Sequence, residues 1–172
     1  AFLDVVNNPN DQRAAPNVGR AYWRLVDIAL RRQDTKDLDD VLAKLNANSA
    51  MNSEPLAQYA KGKALLTKRD FTGARSSLGV VPADHALYAQ TRYMLGVVAM
   101  REAEVNNPTP KVAPGESPPP APKAKYAAAI EAFRQVTQLQ ADTPEREHVI
   151  DLAWLAIGRL FYEADQWAEA AE

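Results

Sequence analysis

The 172-residue chain contains no cysteine, only two histidines and no long apolar run, and each shortage removes a class of function. Without cysteine there is no disulfide, no thiolate metal ligand and no cysteine nucleophile. A zinc centre needs about four close ligands. His85 and His148 lie far apart, near the starts of two expected helices, so both are assigned structural or solvent roles and neither a metal nor a cofactor is expected. No uncharged stretch approaches the about 20 apolar residues of a membrane-spanning helix. Lys and Arg number 20 against 22 Asp and Glu, interleaved to a net charge of -2, which gives no basic face for nucleic acid. No nucleophile elbow, phosphate-cradling glycine loop or metal-ligand spacing occurs, so no enzyme activity is expected. Asp37, Asp39 and Asp40 read as a solvated face rather than as a paired acid and base.

What the chain does have is internal repetition. Gly62 and Gly96 are 34 residues apart, each inside an expected first helix and followed by aromatic-x-x-Ala. Leu65 follows Gly62, and Phe71-x-x-Ala74 opens the next helix. Leu95-Gly96 precedes a delayed Tyr126-x-x-Ala129-x3-Phe133, and Trp154-x2-Ile157-Gly158-x2-Phe161 leads to Trp167-x-x-Ala170. Sliding the chain on itself by 131 residues uncovers a degenerate earlier unit. Ala1-Phe2-x2-Val5 then lies over Ala132-Phe133-x2-Val136, Trp23 over Trp154, Val26 over Ile157 and Leu30 over Phe161, with Asp27 in the glycine position. This spacing resembles the tetratricopeptide repeat, a helix-turn-helix unit of about 34 residues. The resemblance implies an all-α chain, a right-handed superhelical solenoid of antiparallel helix pairs, with 1–172 as a single array.

Two helices cross closely where one presents a small side chain, so Gly62, Gly96 and Gly158 are expected to meet Ala74, Ala129 and Ala170. A glycine inside a helix costs about 1 kcal/mol relative to alanine, which close packing must offset. Trp154, Phe161 and Trp167 are expected in that core.

Residues 1–6 read as the tail of a preceding second helix, followed by a degenerate repeat over 17–47, a repeat over 54–81, one over 84–139 and a truncated one over 144–172. Helices are expected at 17–32, 36–47, 54–68, 71–81, 84–103, 123–139 and 144–163, with another starting at Gln166. Pro55 and Pro144 suit a first helical turn, and Pro82 ends a helix by removing a donor. The chain enters its repeat at the point where it leaves it, as a segment taken from a longer array would. Seven of the twelve prolines, Pro108, Pro110, Pro114, Pro118, Pro119, Pro120 and Pro122, crowd into an insertion over 105–123. It is expected as an extended polyproline-rich loop. Pro119-Pro120-Ala121-Pro122 has the PxxP spacing that SH3 or WW grooves read, although such tracts also serve as spacers.

In tetratricopeptide arrays the first helices line a concave groove. Matching each unit on its core positions then puts Arg24 and Arg31, Tyr59 and Lys63, Tyr93 and Arg101, and Arg159 and Tyr162 on that face. Cations supply charge-assisted hydrogen bonds and tyrosines supply flat apolar area with a polar tip, a combination suited to an extended peptide carrying carboxylates. Long cations also solvate exposed helix faces. The asparagine positions of the chaperone-binding carboxylate clamp hold Ile28, Lys63, Val97 and Arg159, so that specificity is not implied.

The expected function is a non-catalytic scaffold binding a peptide or protein partner. The alternative is a structural or self-assembling element, associating end to end within a larger bacterial envelope or motility complex. Long first helices and alanine-rich units are similar in style to bacterial envelope tetratricopeptide proteins, which favours the periplasm or envelope over the cytoplasm.

Overall fold

A computed structural model describes residues 2–7, 17–32, 35–108, 110, 115, 119, 121–122, 124–166 and 170. These residues form eight α-helices and no strand: α1 (Phe2–Asn7), α2 (Val18–Arg32), α3 (Thr35–Ala47), α4 (Pro55–Thr67), α5 (Phe71–Gly79), α6 (Tyr88–Asn106), α7 (Ala127–Thr137) and α8 (Pro144–Glu163). The backbone falls into two units, Ala1–Thr91 and Arg92–Glu172, with α6 running through the boundary. Trp167 and most of the proline-rich insertion lie outside the described residues.

Short polar side chains start the helices where the sequence places them. The Glu54 carboxylate accepts from the Ala57 N–H at 2.5 Å, Asp70 accepts from Gly73 at 2.9 Å, and the Thr143 hydroxyl accepts from Arg146 at 3.2 Å. Each satisfies a donor left over in a first helical turn, and Pro55 and Pro144 follow two of these caps where no donor is needed.

Of the boundaries that differ from expectation, three have visible local reasons. Helix α5 stops at Gly79, before the bend that leads into Pro82. Helix α6 begins at Tyr88 rather than Asp84, because His85 builds a turn there: its N–H donates to Pro82 and its Nδ1 accepts from Leu87. Helix α7 begins at Ala127 because the Lys125 N–H is taken by the Pro122 carbonyl at 2.8 Å.

Unit 1 is built around α4. Ala57, Ala60, Gly62 and Ala64 keep this helix thin, so it packs against α2 on one side and α5 on the other. The surrounding core draws Tyr22 and Val26 from α2, Leu38 and Leu45 from α3, and Met51 from a 3₁₀ turn. Buried Gln58 donates through Nε2 to the Met51 carbonyl at 2.7 Å, which anchors that turn to α4. In unit 2, α7 packs on α8 and buries Phe133, Val136, Ala153 and Leu160. Burying one such side chain contributes about 1.5–3 kcal/mol.

The glycines sit at close approaches, but their partners lie one helical turn beyond the expected alanines. A β-carbon on Gly62 would stand 2.5 Å from Leu78 Cγ, and one on Gly96 would stand 2.6 Å from the Phe133 ring. Side chains on a helix tilt toward its N-terminus, so Leu78 and Phe133, rather than Ala74 and Ala129, reach back over the glycines. Gly158 has its expected neighbour, the Ala170 carbonyl, but at 3.7 Å.

Trp154 is not a core residue. It is 55% exposed, because the packed face of α8 is set by Val149, Ala153, Ile157 and Leu160, and Trp154 points off that face. Phe161 is buried as expected.

The turns after α4 and α8 repeat one another bond for bond. Arg69 and Asp165 both adopt left-handed backbone, φ 61° and 57°. The following N–H reaches back to the fifth carbonyl before it in each case, Asp70 to Leu65 and Gln166 to Phe161, both at 2.9 Å. Neither turn uses glycine.

Candidate functional face

In unit 1 the first-helix residues come together where α2 packs on α4. That approach is close because Gly19 of α2 lies against the Glu54 side chain that caps α4. Arg31 Nε lies 3.0 Å from Asp27, one turn earlier on α2. Burial raises the pKa of Tyr59 on α4, and the nearby Asp27 charge raises it further. Lys63 Nζ stands 5.8 Å from the Tyr59 ring centroid. The charge of Asp27, itself paired with Arg31 on α2, is thus felt at Tyr59 on α4, and Lys63 lies beside the Tyr59 ring. Exposed Arg24 stacks its guanidinium 4.4 Å from the Trp23 ring centroid. Among the described residues, neither Arg24 nor Lys63 forms an ion pair.

In unit 2 the expected cations are neutralised by carboxylates of the same chain. Arg101 of α6 pairs with Glu104 at 2.8 Å, and Arg159 of α8 pairs through Nε with Glu163 at 2.8 Å. The hydrogen bond from Arg159 to Glu163 tightens the guanidinium's hold on its proton. Glu163 also accepts from the Tyr126 hydroxyl at 3.0 Å, and its backbone carbonyl accepts from the Ala121 N–H at 3.0 Å. Burial, then the hydrogen bond to Glu163, pushes the Tyr126 hydroxyl up to about 12. Tyr93 is half-buried against Phe133, with ring centroids 5.3 Å apart, whereas Tyr162 is 59% exposed.

The structure thus places Arg24, Arg31, Arg101, Arg159 and Tyr162 at the surface and leaves Tyr59, Lys63 and Tyr93 partly covered. It also adds residues that the groove assignment omitted. Asp27, Glu104 and Glu163 offset much of the expected positive charge, and the spacings Asp27/Arg31, Arg101/Glu104 and Arg159/Glu163 are those at which helix charges meet. Leu155, 70% exposed, lies three residues before Gly158, as Tyr59 lies before Gly62 and Tyr93 before Gly96.

Among the described residues, no group of three or more His, Asp or Glu side chains is placed to hold a metal ion, and no helix is long and apolar enough to cross a membrane. Comparison with protein-family models, curated proteins and solved structures finds no match to this chain.

Proposed function

We propose that the chain is a non-catalytic scaffold, a tetratricopeptide-like solenoid of antiparallel helix pairs whose first helices present a binding face to a peptide or protein partner. Two structural correspondences support the repeat: Leu78 over Gly62 matches Phe133 over Gly96, and the Arg69 turn matches the Asp165 turn. The observation that carries the function is the packing of α2 on α4, which brings the Asp27–Arg31 pair near enough for the Asp27 charge to act on Tyr59, beside Lys63. It combines charge of both signs with an aromatic surface on rigid elements.

The partner's chemistry follows from which charges are already satisfied. Arg101 and Arg159 have carboxylate partners at 2.8 Å, whereas Arg24 and Lys63 lie against aromatic rings. An acidic side chain on an extended peptide gains most at the latter two, with an apolar neighbour resting on Tyr59 or Trp23.

Selection of a random-peptide library on the wild-type protein tests this reading. Enriched sequences should carry Asp or Glu beside an apolar residue and lose at least about tenfold affinity, about 1.4 kcal/mol, on R24A/K63A. Enrichment that ignores both substitutions would remove α2 and α4 as the binding face.

A further inference from the structure

Helix α2 carries four exposed arginines, and they are not equivalent. Arg31 pairs with Asp27 at 3.0 Å and Arg32 lies 3.8 Å from Asp37, so the second half of the helix is balanced locally. Arg20 and Arg24, in the first half, form no ion pair among the described residues. The Trp23 ring lies against the Arg24 guanidinium, 4.4 Å from centroid to carbon, a stack that leaves the N–H edge for a carboxylate. One turn beyond Arg24, Ile28 is 39% exposed.

Arg20, Arg24 and Ile28 follow one another at four-residue steps on one side of α2, a row spaced about 6 Å apart along the helix axis. Side chains on one side of an extended chain repeat at nearly that distance, about 6.6 Å for every two residues. The row therefore fits a peptide laid along α2 that offers it an acid, a second acid and an apolar residue at alternate positions. Two neighbours distinguish this occupant from a polyphosphate. Ile28 gives a phosphate chain nothing to bond, and the carboxylate of Asp27, 21% exposed one turn from Arg24, repels a continuous run of negative charge.

We propose that Arg20, Arg24 and Ile28 read an extended acidic-x-acidic-x-apolar segment of the partner, one carboxylate on each arginine and the apolar side chain on Ile28. The inference rests on the peptide-binding face described above and gives that face a sequence requirement. Arg24 belongs to both, whereas Arg20 and Ile28 belong to this row alone.

Fluorescence anisotropy at low ionic strength tests it with labelled synthetic peptides on the full 172-residue chain. The peptides hold two Glu and one Leu in a Ser background, with the acids adjacent, at alternate positions or three apart, each in both chain directions. The better alternate peptide should bind at least about fivefold tighter than any spacing isomer. R20A should remove that preference while circular dichroism stays as wild type, and I28S should weaken binding only of peptides that keep the Leu. The spacing series needs no protein variant, so it stands even if a substitution disturbs folding. Isomers that bind equally yet still lose affinity on R24A/K63A would overturn the row and leave the peptide-binding face in place. Peptides that ignore R24A/K63A would remove both, and tripolyphosphate binding more tightly than every peptide would make the site one for polyanions instead.

Discussion

The Phe133 ring lies 2.6 Å from where a β-carbon on Gly96 would stand, and it is fully buried there. Gly62 holds the same relation to Leu78, but among the described residues only the Ala170 carbonyl comes near a β-carbon on Gly158, at 3.7 Å. The same substitution at these three helix glycines should therefore change sign along the chain. G96A and G62A should destabilise by about 1–3 kcal/mol through overpacking, net of any helix-propensity gain. G158A should stabilise by about 0.5–1 kcal/mol, because alanine is the better helix former and meets no obstacle among the described residues. Urea midpoints of the three variants give the comparison.

Trp154 and Phe133 should separate just as sharply. F133A leaves a cavity over Gly96 and should cost about 3–5 kcal/mol. W154A removes a ring that is 55% exposed and should stay within about 0.5 kcal/mol. Thermal unfolding measures both.

Arg69 adopts φ 61°, a conformation that costs a side-chain-bearing residue about 1–2 kcal/mol and glycine little. R69G should raise stability, by up to about 1 kcal/mol after the entropy cost of glycine in the unfolded chain. A lower melting temperature would show that the Arg69 side chain contributes more than its backbone strain costs.

Tyr126 ties α8 to the start of α7 through Glu163. Its hydroxyl is raised to about 12, against an ordinary 10.0. The folded state holds that proton more tightly than the unfolded state, so the stabilisation is complete below about pH 10 and falls as pH rises toward 12. Y126F should lessen the decline in urea midpoint between about pH 9 and 12. Tyr22 and Tyr59, also raised chiefly by burial, should leave a residual slope.

The helices were legible because proline and capping residues punctuate the chain: Glu54-Pro55, Asp70 and Thr143-Pro144 each start one where expected. The inward face of α8 was not. That helix is apolar on opposite sides, and helical spacing alone cannot tell Trp154, on the open side, from Phe161, on the packed one. The glycine contacts were displaced by one turn because residue spacing carries no information about the tilt of the Cβ bond. At the candidate face Arg24, Arg31, Arg101 and Arg159 are exposed and Lys63 is partly covered, and the charge balance was missed. Arg31, Arg101 and Arg159 each have an acidic partner three or four residues away on the same helix.

The most direct measurement is paired: peptide affinity and melting temperature for wild type, R24A/K63A and Y59A, using a library-selected peptide. Arg24 is exposed, and Lys63 forms no ion pair among the described residues. R24A/K63A should therefore keep its melting temperature and lose at least about tenfold affinity. Half-buried Tyr59 should lose some of both. A double variant that unfolds early, or that binds the peptide as wild type does, would contradict the assignment of α2 and α4 as a binding face.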